Sequence, residues 1–354
     1  MKIAHIGSRG IPAEYSGVEK LIEDASVRLV KEGFEISVYC HSKGFGISKY
    51  GGIKLIKIPT IRTKHLATLI HSLLSTIHVI FTDAGIVHYH CLGPSIFSFI
   101  PRIFGKKTIV TVHGLDWKRK KWNPIAQFLL KLCELSAIYF PNKTAVVSEY
   151  LQNYFKRKYN KGTYYIPNGI SIPLHPSPFT LHPNSYMLFV GRIVPEKGLH
   201  YLISAFKKID TDKELWIAGS PSFTNTYFKR LKEIAGDKIE FLGPVYGEGL
   251  SELYKNCCIF VLPSEMEGCP PLALLEAMSY GKCCLVSDIP ECLENISDCV
   301  VSFKNKDEDD LAEKLGLFLK NPSLAENLGK KARERVAETR NWDKIIPLWK
   351  QIYT

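Results

Sequence analysis

The sequence predicts an α/β protein built of two Rossmann-like, doubly wound domains that face a cleft. Three observations predict it: a length of 354 residues, short apolar runs alternating with longer amphipathic segments in both halves, and a proline-rich stretch between the halves. Single cores rarely grow past about 250 to 300 residues, so a chain of this length is expected to divide. The alternation is that of βαβ units around parallel sheets.

In the first half KIAHIG, EISVYC, IKLIKI, GIVHYH, KTIVTVH and KTAVVS read as strands, and Gly17 to Glu32 reads as the first helix. The most apolar stretch, Leu66 to Phe81, contains His71 and His78. It is shorter than the roughly 20 residues a spanning helix needs, so it reads as a buried or interfacial helix. Prolines 167, 173, 176, 178 and 183 then mark a linker, because proline lacks an N–H and fixes φ. In the second half YMLFVG, ELWIAG, KIEFLG, CCIFVLP and KCCLVS repeat the strand theme. The expected limits are 1–170 for the first domain, 171–185 for the linker and 186–335 for the second domain. The segment 336–354, with RNWDKIIPLWKQIYT, is either a terminal helix of the second domain or a helix packing back on the first.

Hydrophobic residues at 45% and charged residues at 23% fit a folded globular chain rather than a disordered one. The net charge of +11 favours anionic partners: nucleotides, phosphorylated lipids, membrane surfaces or nucleic acid. The ten cysteines show no C-x-x-C pair, which argues against zinc, and Cys283-Cys284 in an apolar run read as small hydrophobes of a buried strand. This cysteine usage suits a reducing, cytoplasmic setting, and the opening MKIAHIGSRG lacks the apolar stretch of a signal peptide. No Walker loop, G-x-S-x-G, H-E-x-x-H or dinucleotide G-x-G-x-x-G turn is present.

Ligands of open α/β sheets bind at the carboxyl ends of the strands, where four motifs fall. In YMLFVGRIVPEKGLHYLISAF, Gly191 and Arg192 end a strand and Lys197 precedes a helix. Helix N–H groups, a forked guanidinium and a compact ammonium together suit phosphate. In FVLPSEMEGCPPLALLEAMSYG, Glu276 interrupts an apolar helical run, and a buried carboxylate there needs a partner, such as a pair of ribose hydroxyls. Gly7-Ser8-Arg9-Gly10 and Ser16-Gly17-Val18-Glu19 precede the first helix, where glycine allows close backbone approach to a ligand. His113 ends the strand of TIVTVHGLDWKRKKWNP, followed by Asp116 and by the basic-aromatic run Trp117, Lys118, Arg119, Lys120, Lys121 and Trp122. Tryptophan favours membrane interfaces and lysine favours anionic headgroups, so that run is a candidate for peripheral membrane contact. Ser148-Glu149 and Asn168-Gly169 also fall at strand ends, although turn chemistry explains Asn-Gly equally well.

GRIVPEKG followed about 70 residues later by PSEMEGCPPLALLEAMSYG resembles the donor-binding half of the family-4 retaining glycosyltransferases, whose fold is GT-B. GSRGIPAEYSGVEKLIEDASVRLVKEGFEISVYC is similar to the same family, notably its rhamnosyltransferase-like branch in bacterial surface-polysaccharide assembly. The resemblance implies transfer of a sugar, with retention, from a nucleoside diphosphate to a glycan or lipid-linked saccharide, without a metal or other cofactor and without nucleic acid. It assigns the donor diphosphate to Arg192 and Lys197, with Gly17 and Gly191 close by, and the ribose to Glu276. It places Glu267, Gly268 and Cys269 at the transferred sugar, and His113 at its hydroxyls or at the charge that forms. Arg9, Asp116 and Ser148 fall on the acceptor side. Eight residues separate Glu267 from Glu276 where the family usually has seven, and Pro270 and Pro271 supply no N–H to the sugar. A sugar-nucleotide epimerase or phosphorylase of the same fold, and a basic module binding anionic lipid or nucleic acid, are the rival readings.

Overall fold

The computed structural model describes residues 1–14, 16–42, 46–60, 67–118, 122–173, 184–222 and 224–354. Among these the chain forms two compact units: Met1–Gly169 with Trp342–Thr354, and Ile170–Asn341.

The first unit contains β1 (Lys2–Ile6), β2 (Glu35–His41), β3 (Lys49–Tyr50), β4 (Ile53–Ile58), β5 (Ile86–His90), β6 (Lys107–Val112), β7 (Lys143–Val146) and β8 (Tyr164–Tyr165). They form one sheet in the order β3-β4-β2-β1-β5-β6-β7-β8, parallel except where the short β3 pairs with β4. Its helices are α1 (Gly17–Lys31), α2 (Ala67–Ile80), α3 (Leu92–Ser95), α4 (Phe99–Ile103), α5 (Pro124–Tyr139) and α6 (Glu149–Tyr159). All five residues of β5 are buried, and so are all but the first of β6, as expected of parallel strands covered on both faces.

In the second unit β9 (Tyr186–Val190), β10 (Glu214–Ala218), β11 (Ile239–Gly243), β12 (Ile259–Leu262), β13 (Cys283–Ser287) and β14 (Val301–Phe303) form an all-parallel sheet in the order β11-β10-β9-β12-β13-β14. The helices are α7 (Leu199–Lys207), α8 (Asn225–Ile234), α9 (Gly247–Asn256), α10 (Leu272–Ser279), α11 (Pro290–Leu293), α12 (Glu308–Lys320) and α13 (Pro322–Thr339). Cys283 and Cys284 lie buried in β13, as small hydrophobes. In both sheets the strand order reverses beside the first strand: between β1 and β5, and between β9 and β12. That reversal is where doubly wound sheets open a ligand crevice.

The unit limits differ from the expected domain limits at two places. Ile170 belongs to the core of the second unit rather than to the first domain, because its N–H donates to the Arg340 carbonyl at 2.8 Å and it bridges to Asn341. Residues 174–183, most of the expected linker, lie outside the described residues. Helix α13 runs unbroken through position 336, with Val336 buried, so the chain leaves the second unit only after Asn341. The last helix, α14 (Trp342–Tyr353), belongs to the first unit and buries Ile345, Trp349, Ile352 and Tyr353 there.

Candidate functional site

In the second unit the phosphate and ribose motifs follow β9 and β12, the two strands that flank the reversal. After β9 the chain passes through Gly191 and Arg192 into a single 3-10 turn, Pro195–Lys197. Gly198 then takes a left-handed φ of 68°, and a Cβ there would sit 1.9 Å from the Pro263 carbonyl oxygen. Only glycine lets this loop lie against the end of β12. The Glu265 N–H donates to the Glu196 carbonyl at 2.9 Å, tying the two loops together.

This closeness brings the Lys197 ammonium onto the Glu267 carboxylate, with both side chains 13% exposed. Two residues 70 apart, one expected at the diphosphate and one at the sugar, thus form a mostly buried ion pair. Each charge compensates the other's desolvation. Gly268 and Cys269 follow in the same loop, half-buried. Glu265 receives the Tyr201 hydroxyl at 3.3 Å and Lys306 at 3.3 Å.

Glu276 is half-buried on α10, and the Tyr254 hydroxyl of α9 donates to its Oε2 at 2.8 Å. Burial, reinforced by the adjacent Glu276 charge, raises the Tyr254 hydroxyl well above its ordinary value, so it stays a donor. Tyr254 stacks on Tyr280 with ring centroids 5.8 Å apart. The partner that sequence reasoning asked of Glu276 is thus supplied in part by the fold. Tyr254 carries no sequence signal, since its link to Glu276 depends on how α9 packs beside α10.

In the first unit His113 directly follows β6 and joins a chain of imidazoles. Its Nε2 lies 3.2 Å from His90 Nδ1, and His90 Nε2 lies 2.9 Å from His5 Nδ1. Neighbouring His88 holds Tyr353 of α14 through Nδ1 at 2.9 Å and Thr111 through Nε2 at 2.7 Å. Burial pushes His113 down to about 4 and His5 to about 3. Burial first, and then the other imidazoles, hold His88 and His90 well below the ordinary value. All four are therefore neutral at pH 7. A neutral ring has one N–H and one lone pair, so each hydrogen bond fixes the next and the tautomers of His5, His90 and His113 are set together. Nδ1 of His113 accepts when His5 Nε2 carries the proton and donates when it does not. His5 Nε2 has no hydrogen-bond partner among the described residues. The ligand atoms of His5, His88 and His90 lie within 4.8 Å of one another, a spacing open to a metal. Apart from His5 Nε2, their nitrogens already serve one another, His113, Thr111 and Tyr353.

Gly17 opens α1, and the loop before it is clamped by acids of that helix. Glu19 accepts from the N–H groups of Arg9 at 3.2 Å and Ser16 at 3.1 Å, and Glu23 from that of Ala13 at 2.6 Å. Arg9 is exposed. Ser148 is buried and caps α6, accepting from the Leu151 N–H at 3.2 Å, which gives it a structural task. Asp116 begins a short 3-10 turn with Trp117 and Lys118. Trp117 is occupied: its indole N–H donates to the fully buried Glu134 at 2.5 Å, and Lys131 lies 4.9 Å from its ring. Tyr154, Lys158 and Tyr159 also donate to Glu134. Arg119, Lys120 and Lys121 lie outside the described residues, and Trp122 is half-buried.

Two families match the chain: Glycosyltransferase Family 4 over residues 15–172, and Glycosyl transferases group 1 over residues 176–335. A glycosyltransferase of Methanocaldococcus jannaschii is 34% identical over 47% of this chain and 44% of its own length. The N,N'-diacetylbacillosaminyl-diphospho-undecaprenol alpha-1,3-N-acetylgalactosaminyltransferase of Campylobacter jejuni is 32% identical over 42% of this chain and 39% of its own. These two matches thus span less than half of either relative. The UDP-Gal:alpha-D-GlcNAc-diphosphoundecaprenol alpha-1,3-galactosyltransferase of Escherichia coli is 28% identical over 85% of this chain and 81% of its own. Among solved structures, sucrose-phosphate synthase from Thermosynechococcus elongatus superposes with a TM-score of 0.83 at 20% identity, covering 99% of this chain and 98% of that one. WaaG, a glycosyltransferase of lipopolysaccharide biosynthesis, superposes with a TM-score of 0.79 at 15% identity, covering 99% of each chain. At these identities the structural likeness speaks for the fold.

Proposed function

The chain belongs to the GT-B glycosyltransferases, and we propose that it moves a sugar from a nucleoside diphosphate onto a hydroxyl of a lipid-linked or polymeric saccharide, with retention, in surface-glycan assembly. The observation that carries this reading is the juxtaposition of Lys197 and Glu267 beside β9 and β12, with Glu276 held by Tyr254 on the following helix. In it Arg192 and Lys197 take the diphosphate, Glu276 takes the ribose, and the loop of Glu267, Gly268 and Cys269 takes the sugar. Lipid-linked diphosphate saccharides appear in the names of the Campylobacter and Escherichia relatives, which favours that acceptor class.

In the proposed reaction the bond from the anomeric carbon to the β-phosphate oxygen breaks and its electron pair stays on the phosphate. Two cations there stabilise that charge electrostatically, so the reaction needs no metal. The acceptor oxygen bonds to the anomeric carbon on the face the phosphate leaves, and its proton passes to the departing phosphate oxygen. His113, neutral and coupled in tautomer to His90 and His5, serves a sugar hydroxyl as a hydrogen-bond partner. The enzyme works at the inner face of a membrane, in peripheral contact with anionic lipid.

The test is incubation with a panel of nucleoside diphosphate sugars, galactosyl, N-acetylgalactosaminyl and rhamnosyl donors included, with and without an undecaprenyl diphosphate saccharide. Release of nucleoside diphosphate that depends on both, together with a lengthened glycolipid, supports the reading. Conversion of the donor to a free epimer, or no turnover of any donor, overturns it.

A further inference from the structure

Two helices of the first unit are turned the wrong way round for a water-soluble surface. On α5 the apolar residues Ile125, Phe128, Leu129 and Leu132 recur at helical spacing as one stripe, and that stripe faces outward, Ile125 at 72% and Phe128 at 62% exposure. The face α5 buries instead carries Cys133, Glu134, Ser136 and Ala137. Helix α2 repeats most of the inversion: it buries His71, Ser72, Ser75 and Thr76 along with Val79, and exposes Leu73, Leu74 and Ile77. Amphipathic helices normally point the apolar stripe at the core. Between the two, α4 packs against α2 and, through Phe99 set edge-on to Phe140, against the end of α5. It adds Ile103 and Phe104 at 73% and 61% exposure. Large apolar side chains thus crowd the outer surface of three neighbouring helices, and such patches mark interaction sites.

The charge around them selects the partner. From Ala67 to Ser148, the stretch that spans the three helices, the sequence holds nine lysines and arginines, of which Arg119, Lys120 and Lys121 lie outside the described residues, and three acids, Asp83, Asp116 and Glu134, with Asp83 paired to Lys2. Glu134 is fully buried, and Lys131 stands exposed on α5 beside the apolar stripe. Two copies of this surface would repel each other, whereas an anionic bilayer offers both an apolar interior and opposite charge. No helix among the described residues is long and apolar enough to cross a membrane, which suits helices lying in the interface. Trp117, whose indole N–H donates to Glu134 on the buried face of α5, is committed to the fold.

We propose that the exposed apolar faces of α2, α4 and α5, rimmed by basic residues, dock this protein on an anionic lipid bilayer. The inference rests on the lipid-linked acceptor only for its purpose in the cell, since docking is read without turnover. Flotation of the full chain with vesicles of phosphatidylcholine and phosphatidylglycerol in equal parts measures it, with circular dichroism confirming that each variant folds. We expect the protein to float with these vesicles, and Phe128→Glu/Leu129→Glu to weaken association more than about tenfold. Release of nucleoside diphosphate with a short, water-soluble acceptor should be unchanged in that variant. A folded variant that floats as well as the unaltered protein overturns the proposal, as does an unaltered protein that stays off the vesicles. A dimer in light scattering that the double substitution splits into monomers overturns it too, by giving the face to a second copy. An unaltered protein that floats with the vesicles but releases no nucleoside diphosphate from any donor would instead count against the proposed function and leave the docking surface standing.

Discussion

The two units put their candidate residues at the same kind of place, the carboxyl ends of central parallel strands, yet solve burial there in opposite ways. In the second unit charge is kept and compensated: Lys197 by Glu267, and Glu276 by the Tyr254 hydroxyl. In the first unit it is given up, as His5, His90 and His113 stay neutral and pass hydrogen bonds along a chain while neutral His88 bonds Tyr353 and Thr111. A carboxylate and an ammonium in contact can offset each other's desolvation, but four adjacent imidazoles have no counter-charge and avoid ionisation instead. The first arrangement suits gripping an anion, and the second suits orienting neutral hydroxyls.

The largest effect expected from breaking this contrast is on the charged side. Lys197→Ala and Glu276→Ala should each lower turnover by roughly a hundred- to a thousandfold with the fold retained, read in steady-state release of nucleoside diphosphate. Near-normal rates in both would remove the assignment. Lys197→Ala leaves the Glu267 carboxylate without its ammonium. The double variant Lys197→Ala/Glu267→Ala should therefore regain thermal stability but not activity.

Acid should separate the two units next. The folded histidines have pKa values below the unfolded value of about 6.5, so in the window from there down to about 4 for His113 and about 3 for His5 the unfolded chain binds more protons. Their contribution is complete above pH 6.5 and falls by about 1.4 kcal/mol per pH unit for each such histidine as pH drops through that window. Hydrogen exchange at pH 5 should show the first unit opening before the second, and equal protection in both would count against the neutral chain.

A smaller change is expected of His113→Ala, about tenfold in turnover, because a single hydrogen bond to a neutral partner is lost. Between pH 5.5 and 8 the unaltered enzyme should show no inflection from this residue, since the ring is already neutral there. The smallest is Tyr254→Phe, which removes one bond to Glu276. It should weaken donor binding by about three- to tenfold, measured as KM, and leave kcat close to normal.

The strands were legible because parallel strands covered on both faces are written as apolar runs. Glu276 was legible for the converse reason, an acid inside such a run. The histidine chain was not. His5 and His88 are partnered across β1 and β5, but which residue of one strand faces which of the next is a matter of register that neither segment encodes alone. Tyr254 was hidden in the same way, by packing between α9 and α10. The apolarity of α2 was plain in the sequence and its inversion was not, because periodicity shows that a helix has two faces without saying which one the sheet will take. The bond from Trp117 to Glu134 was hidden too, because it depends on how the turn at Asp116 packs beside α5.

The return of α14 to the first unit has a temporal consequence. The second unit is one unbroken stretch of chain, Ile170–Asn341, whereas the first is assembled from both ends of the sequence. A ribosome finishes the strands β1 to β8 early, yet Trp349 and Tyr353, which cover His88 and its neighbours, emerge only after the whole second unit has been made. The unit whose synthesis begins first is therefore the last to receive all of its residues, and the cover of His88 by Trp349 and Tyr353 is the final part of it to be supplied.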